Sequence, residues 1–245
     1  MPAIHCNSIT AHWDNASAPF NIANAVHIWR LQITTNLHLL PQCLSVLHAE
    51  EITRAASYHH EKDKNRFILS RGMLRFLLNK YTGIAPQGIT MIVGENKKPY
   101  LQTTTGAIHY NMAHSGDLVL IAIADSPIGV DVEYIDPNFN YTEIIPTCFS
   151  NEEALFLHNV KERTASFYAL WTRKEALLKA TGKGIDDDLI HVPCLDGTHN
   201  VEQSIIGSPH DWTVTTFEAD SQYTGCIVFS RRDTQITFMN AQHNL

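Results

Sequence analysis

Gly129-Val130-Asp131-Val132-Glu133 and, further on, Trp171-Thr172-Arg173-Lys174-Glu175-Ala176-Leu177-Leu178-Lys179 are the stretches from which the architecture is read. The first alternates and predicts a β-strand, with Asp131 and Glu133 on one face and Val130, Val132 and Tyr134 on the other. The second predicts a helix. At about 100° per residue, Phe167, Leu170, Trp171, Leu177 and Leu178 form one apolar arc, with Lys174 inside it and Glu175 and Lys179 at its margin. This helix is expected over 164–180, stopped by Gly182-Lys183-Gly184, after an earlier helix over 151–159.

Working outward, the same order appears upstream. Helices are predicted over 45–58 and 63–81, with Asp63 as N-cap and Gly83 as stop, followed by strands over 89–93, 108–112 and 118–124. Downstream of the motif helix, strands are expected over 211–217, 223–229 and 235–239, and a further strand near the start over 27–34. Residues 1–24 lack periodicity and read as a loosely held tail. Helices precede strands twice, without a residue-level repeat, which predicts an α+β fold of two similar lobes related by a pseudo-twofold. Each lobe, 1–125 and 126–245, is expected to be a small antiparallel sheet packed against helices, with a functional site expected at their interface.

The 245 residues are 44% hydrophobic, enough for a sizeable core. A net charge of −7 argues against a chain whose whole surface serves nucleic acid or anionic membrane. The five cysteines are scattered without C-x-x-C spacing, so neither a disulfide framework nor a zinc site is indicated, and a reducing cytoplasm fits. No signal-like start or membrane-length apolar run is present, and a monomer is the expected state. Among the fourteen histidines no metal-ligand spacing appears, so most read as surface residues.

The candidate chemistry lies in the two opening stretches. Asp131, Glu133 and Glu175 offer oxygen ligands of the kind Mg²⁺ takes alongside water and phosphate oxygens. The bland alternatives are two solvent-facing strand carboxylates and an i,i+4 pair between Glu175 and Lys179, worth a few tenths of a kcal/mol. Lys174, inside the apolar arc, either snorkels to water or meets a buried anion such as a phosphate. The turn Asn111-Met112-Ala113-His114-Ser115-Gly116 presents N–H groups, a hydroxyl and an imidazole, which together can cradle a phosphate. Lys98 before Pro99, with Arg54, Arg66, Arg71 and Arg75, adds cationic reach.

In order, Lys98-Pro99-Tyr100, the Asn111–Gly116 turn and the two opening stretches resemble the successive motifs of the 4′-phosphopantetheinyl transferases, best the long, two-lobed Sfp-type class. Arg66 to Leu78 is similar to that class's N-terminal helix, and the resemblance spans residues 45–185. Ala113 stands where many members have serine, and Glu51 where some carry a basic residue, so no phosphate contact is carried over to Glu51. The resemblance implies transfer of the phosphopantetheine arm of coenzyme A to a serine of an apo acyl, peptidyl or aryl carrier protein, releasing 3′,5′-ADP. It implies Mg²⁺ on Asp131, Glu133 and Glu175, with Glu175 and Lys179 catalytic. Arg54, Arg66, Lys98, His114, Ser115, Lys174 and Lys179 are implied to bind coenzyme A.

Two rival readings use the same residues. A Mg²⁺-dependent phosphohydrolase or nuclease would activate water with the carboxylates and consume coenzyme A without a carrier. A non-catalytic coenzyme A or carrier-binding module would not need Asp131, Glu133, Glu175 and Lys179 together.

Overall fold

The computed structural model describes residues 1–15, 20–94, 98–102, 108–184, 186–230 and 234–241. The first half runs β1 (Ala3–Ser8), β2 (Trp13–Asp14), β3 (Ala25–Gln32), α1 (Leu40–Leu44), α2 (Ala49–Ala56), α3 (Glu61–Thr82), β4 (Met91–Val93), β5 (Pro99–Leu101), β6 (His109–Ser115) and β7 (Leu118–Ala124). The second runs β8 (Ile128–Tyr134), α4 (Ile145–Cys148), α5 (Asn151–Asn159), α6 (Arg163–Thr181), β9 (Gly197–Asn200), α7 (Gln203–Ile206), β10 (Trp212–Asp220), β11 (Tyr223–Phe229) and β12 (Gln235–Asn240). Each half thus repeats strand, short helices, long helix, strands, in an α+β architecture.

Two five-stranded sheets form, ordered β2-β12-β3-β7-β6 and β8-β11-β10-β1-β9, beside a hairpin of β4 and β5. Alternation along the strands divides the core. Trp29, Leu31, Ile121 and Ile123 pack under Leu69, Met73, Leu74 and Leu77 of α3. Their neighbours Ile28, Leu120 and Ala122 meet Val130, Val132 and Ile227 in a core between the sheets. On the far side, Val214, Cys226 and Val228 lie under Ala176, Leu177 and Leu178 of α6. The order is helix, sheet, sheet, helix. It explains why Leu118–Ala124 is an unbroken apolar run: β7 is buried on both faces.

The chain ends depart from the expected plan. β1 pairs in parallel with β10, and β12 in parallel with β3, so each terminal strand joins the sheet of the opposite half. Neither 1–125 nor 126–245 therefore encloses one whole sheet, and the sheets are mixed rather than purely antiparallel. Residues 3–8 are not a loose tail, since Ile4 and Cys6 are buried. A six-residue strand whose partner lies some two hundred residues away leaves no local pattern beyond the Ile4, Cys6 alternation.

Local boundaries also shift. The helix expected over 45–58 is confined to α2, because the Glu51 carboxylate accepts the His48 N–H at 3.0 Å and caps the helix start there, while α1 ends at Leu44. α3 begins before Asp63, which sits in its first turn and pairs with Arg66 at 2.8 Å, where a negative charge suits the helix dipole. Among the described residues no helix is long and apolar enough to cross a membrane.

Candidate active site

β6 and β8 meet where the two sheets approach. The buried Asn111 side chain accepts the Val130 N–H at 2.9 Å, so an amide ties one sheet to the other beside the acidic strand. On the outer face of β8, α6 lies directly on the backbone: a Cβ at Gly129 would stand 2.1 Å from the Ala176 carbonyl oxygen and 2.4 Å from the Ala180 nitrogen. Glycine at this position lets the helix approach closely enough for its side chains to reach Asp131.

That approach brings an acid and a base together. Lys179 donates to Asp131 Oδ1 at 2.6 Å and lies 3.7 Å from Glu175 Oε2. Asp131 is 2% exposed, and its Oδ2 is buried without a hydrogen-bond partner among the described residues. Burial raises the Asp131 pKa to about 7 despite the opposing pull of Lys179, and the negative fields of Glu175 and Glu133 push the same way. Glu133 is also raised, by burial first, against hydrogen bonds from Ser115 and Trp171. The Ser115 hydroxyl donates to Glu133 Oε2 at 2.8 Å and accepts the Tyr134 N–H at 3.0 Å.

Among the described residues no group of three or more His, Cys, Asp or Glu side chains is arranged to hold a metal as it stands. The Lys179 ammonium occupies one oxygen of Asp131, and Glu133 is turned to Ser115. The donor set still fits a hard divalent cation. It consists of carboxylate oxygens that feel one another's charge, and one of them, Asp131 Oδ2, is buried with nothing to balance it.

The remaining expected ligands separate into two groups. His114 and Arg66 stand near Lys179: the His114 pKa is held below its ordinary value by desolvation, then by the positive charges of Arg66 and Lys179. Arg54 lies further along α2, its guanidinium 5.3 Å from the Phe67 ring, on a cavity of about 300 Å³ that Arg71 and Pro99 also line. Glu51 in that cavity is taken up by Arg75, which donates to it at 2.7 and 3.0 Å.

The side chains of Lys174, Lys98 and Ser115, expected to bind coenzyme A, are engaged by partners within the protein. Lys174 is fully buried, with its ammonium 2.9 Å from Glu153 Oε2 and donating to the carbonyls of Leu189 and Val192, so its three N–H bonds are all used inside the protein. The buried anion it meets is a side chain of α5. Lys98 donates to the Ala180 carbonyl at 2.6 Å and the Ile128 carbonyl at 3.2 Å, binding the β4–β5 hairpin to the end of α6 and the start of β8, and burial lowers its pKa to about 8. Ser115 orients Glu133. Two positioning residues went unrecognised in the sequence: Glu153, whose S-x-x-E capping pattern could have marked its place but not its partner, and Trp171, read only as part of the apolar arc.

The fold thus sets an acid–amine cluster between β8 and α6, beside the edge where β6 of the other sheet meets β8. Residues 127–228 match the family model described as the 4′-phosphopantetheinyl transferase superfamily, and residues 34–126 match the model of the 4′-phosphopantetheinyl transferase N-terminal region. The chain is similar to the 4′-phosphopantetheinyl transferase HetI of Nostoc sp., 30% identical over 169 residues that cover 67% of this chain and 71% of that protein. It is also similar to the 4′-phosphopantetheinyl transferase Sfp of Bacillus subtilis, 28% identical over 198 residues, 78% of this chain and 85% of that protein. A Synechocystis sp. protein, slr0495, is 36% identical over 162 residues, and the chain spans 66% of its length. The chain belongs to the 4′-phosphopantetheinyl transferase superfamily.

Proposed function

We propose that this protein moves the phosphopantetheine arm of coenzyme A onto a serine of an apo acyl or peptidyl carrier protein, with Mg²⁺ held by Asp131, Glu133 and Glu175. The observation that supports the reading best is Asp131 Oδ2, a buried carboxylate oxygen with no partner among the described residues, in a cluster where the charge of Glu175 raises the pKa of both Asp131 and Glu133. Two unit charges about 4 Å apart repel by about 4 kcal/mol at an effective dielectric of about 20, so the cluster favours a cation. When bound, Mg²⁺ would polarise the pyrophosphate and offset charge on the leaving phosphate.

The protein's own residues account for the remaining steps. Arg66 and His114 bind phosphate oxygens near Lys179, and Arg54 with Arg71 receives the nucleotide end in the cavity beside Phe67 and Pro99. Glu175 accepts the proton of the carrier serine hydroxyl as the new Oγ–P bond forms and the P–O bond to 3′,5′-ADP breaks. Lys179 stands against the charge that develops on the departing ADP. Ser115 and Trp171 hold Glu133, and Lys98 and Lys174 hold α6, so the acids and the amine are pre-positioned.

The reading includes a monomer in a reducing cytoplasm, in keeping with five free cysteines, four of them buried. A stable dimer in sedimentation would remove the first of these. The functional test incubates the protein with Mg²⁺, coenzyme A and apo carriers from several pathways and weighs the carriers. One added phosphopantetheine is expected, lost with Glu175→Gln or Asp131→Asn and with chelator. Consumption of coenzyme A without mass gain on any carrier would favour the phosphohydrolase and overturn the transfer.

A further inference from the structure

The turn that follows Ser115 has no slack. Ser115 of β6 pairs with Leu118 of β7, so Gly116 and Asp117 alone connect the strands, with Gly116 at φ +52° in the place where such a hairpin favours glycine. A Cβ at Gly116 would stand 2.7 Å from the Tyr223 hydroxyl, so glycine here also admits a side chain from the other sheet.

Asp117 commits all of its polar groups at this turn. Its carboxylate accepts the Thr34 N–H at 3.0 Å and the Thr34 hydroxyl at 2.6 Å, and its carbonyl accepts the Ile33 N–H at 2.9 Å. Its own N–H donates to the Tyr223 hydroxyl at 3.1 Å. Ile33 and Thr34 directly follow β3, in the same sheet as the turn, whereas Tyr223 begins β11 in the other sheet. The turn is thus held from both sides.

These contacts close a ring around an acid of the cluster. Tyr223 lies opposite Tyr134 in the pairing of β11 with β8, their rings edge to face with centroids 5.3 Å apart. The Tyr134 N–H donates to the same Ser115 hydroxyl that donates to Glu133. From Ser115 the path runs through Gly116, Asp117, Tyr223 and Tyr134 back to Ser115, and the Glu133 carboxylate is fastened to it. A glutamate side chain has considerable rotamer freedom, which such a bond removes before any ligand arrives. Mg²⁺ demands near-ideal octahedral geometry, so a small turn of a ligating carboxylate is felt as lost metal affinity.

Resting on the transfer reading above, we propose that Asp117 and Tyr223 are positioning residues for Glu133. They fix the β6–β7 turn between the sheets and, through Ser115, set the orientation in which Glu133 meets the cation.

The test reads the metal directly. Mn²⁺ serves as the probe, its binding in the presence of coenzyme A followed by loss of the free ion's paramagnetic resonance signal. The half-saturating Mg²⁺ concentration is measured beside it in the carrier-mass assay. Asp117→Ala removes both Thr34 contacts and should weaken Mn²⁺ about tenfold, while Tyr223→Phe removes one hydroxyl and should weaken it about threefold. Half-saturating Mg²⁺ should rise by the same factors, with kcat at saturating Mg²⁺ unchanged within twofold. Asp117→Asn still accepts the Thr34 N–H and donates to its hydroxyl oxygen, so it should stay within twofold of wild type. Unchanged Mn²⁺ affinity in both Asp117→Ala and Tyr223→Phe would make the turn a tie of the fold alone and overturn the inference. Asp117→Asn as weak as Asp117→Ala would overturn it too, because the charge rather than the hydrogen bonds would then be acting. If Asp117→Ala loses its circular dichroism spectrum, Tyr223→Phe decides by itself. Wild-type protein that binds no Mn²⁺ beside coenzyme A overturns the metal reading above, and this inference with it.

Discussion

Replacing Lys174 by Met distinguishes a lysine that serves the ligand from one that serves the fold. The ammonium is fully buried against Glu153 and two carbonyl groups, so the substitution leaves a buried carboxylate with its charge uncompensated. Removing one partner of a buried ion pair costs about 3–5 kcal/mol. That is a large fraction of a typical domain stability of about 5–15 kcal/mol. In urea, with m about 2.5 kcal/mol/M, the midpoint should fall by about 1.5 M. Glu153 also accepts the N–H groups of Ser150 at 2.9 Å and Cys194 at 3.0 Å, so Glu153→Gln keeps an acceptor while dropping the charge. The double variant Lys174→Met/Glu153→Gln should therefore recover more than half of the loss, which tryptophan-monitored unfolding would show. Coenzyme A affinity of the folded fraction should be unchanged within threefold. A Lys174→Met protein of wild-type stability whose affinity for coenzyme A had dropped tenfold would refute this reasoning and place the ammonium on a phosphate.

Three other outcomes follow from the packing and the titrations. Gly129→Ala places a methyl 2.1 Å from the Ala176 carbonyl, so α6 must shift; a stability loss of about 3 kcal/mol and a transfer rate at least tenfold lower are expected in melting and carrier-mass assays. Wild-type rate with this variant would show that the position of α6 is not critical. His27, buried with Tyr81 as its 2.6 Å partner, has its pKa lowered by burial from 6.5 to about 4, so only the unfolded chain takes up a proton between those values. Its contribution is intact above pH 6.5 and is lost as pH falls toward 4, by about 3 kcal/mol, and His27→Gln should flatten that slope in urea titrations at stepped pH. Lys98→Met removes the two carbonyl contacts from the hairpin to α6 and β8, and the melting temperature should drop with coenzyme A affinity held within threefold; the opposite pattern would make Lys98 a ligand.

Much of this was legible in the sequence because helix and strand periodicity are local. The face shared by Asp131 and Glu133, the apolar arc of the motif helix and the pairing of Glu175 with Lys179 each follow from residues a few positions apart. β7, β11 and α5 match their expected spans, since each is marked by turn residues or a cap at both ends. Only the tertiary structure decided where the chain ends go, because β1 and β12 find partners in the opposite half. It likewise decided what the lysines meet. A lysine within an apolar arc has the same pattern whether its ammonium faces a ligand or a buried carboxylate, and for Lys174 the answer lay on α5, with Glu153. Lys98 and Ser115 show the same limit: their partners at Ala180, Ile128 and Glu133 are brought near by packing, and no spacing along the chain encodes that proximity.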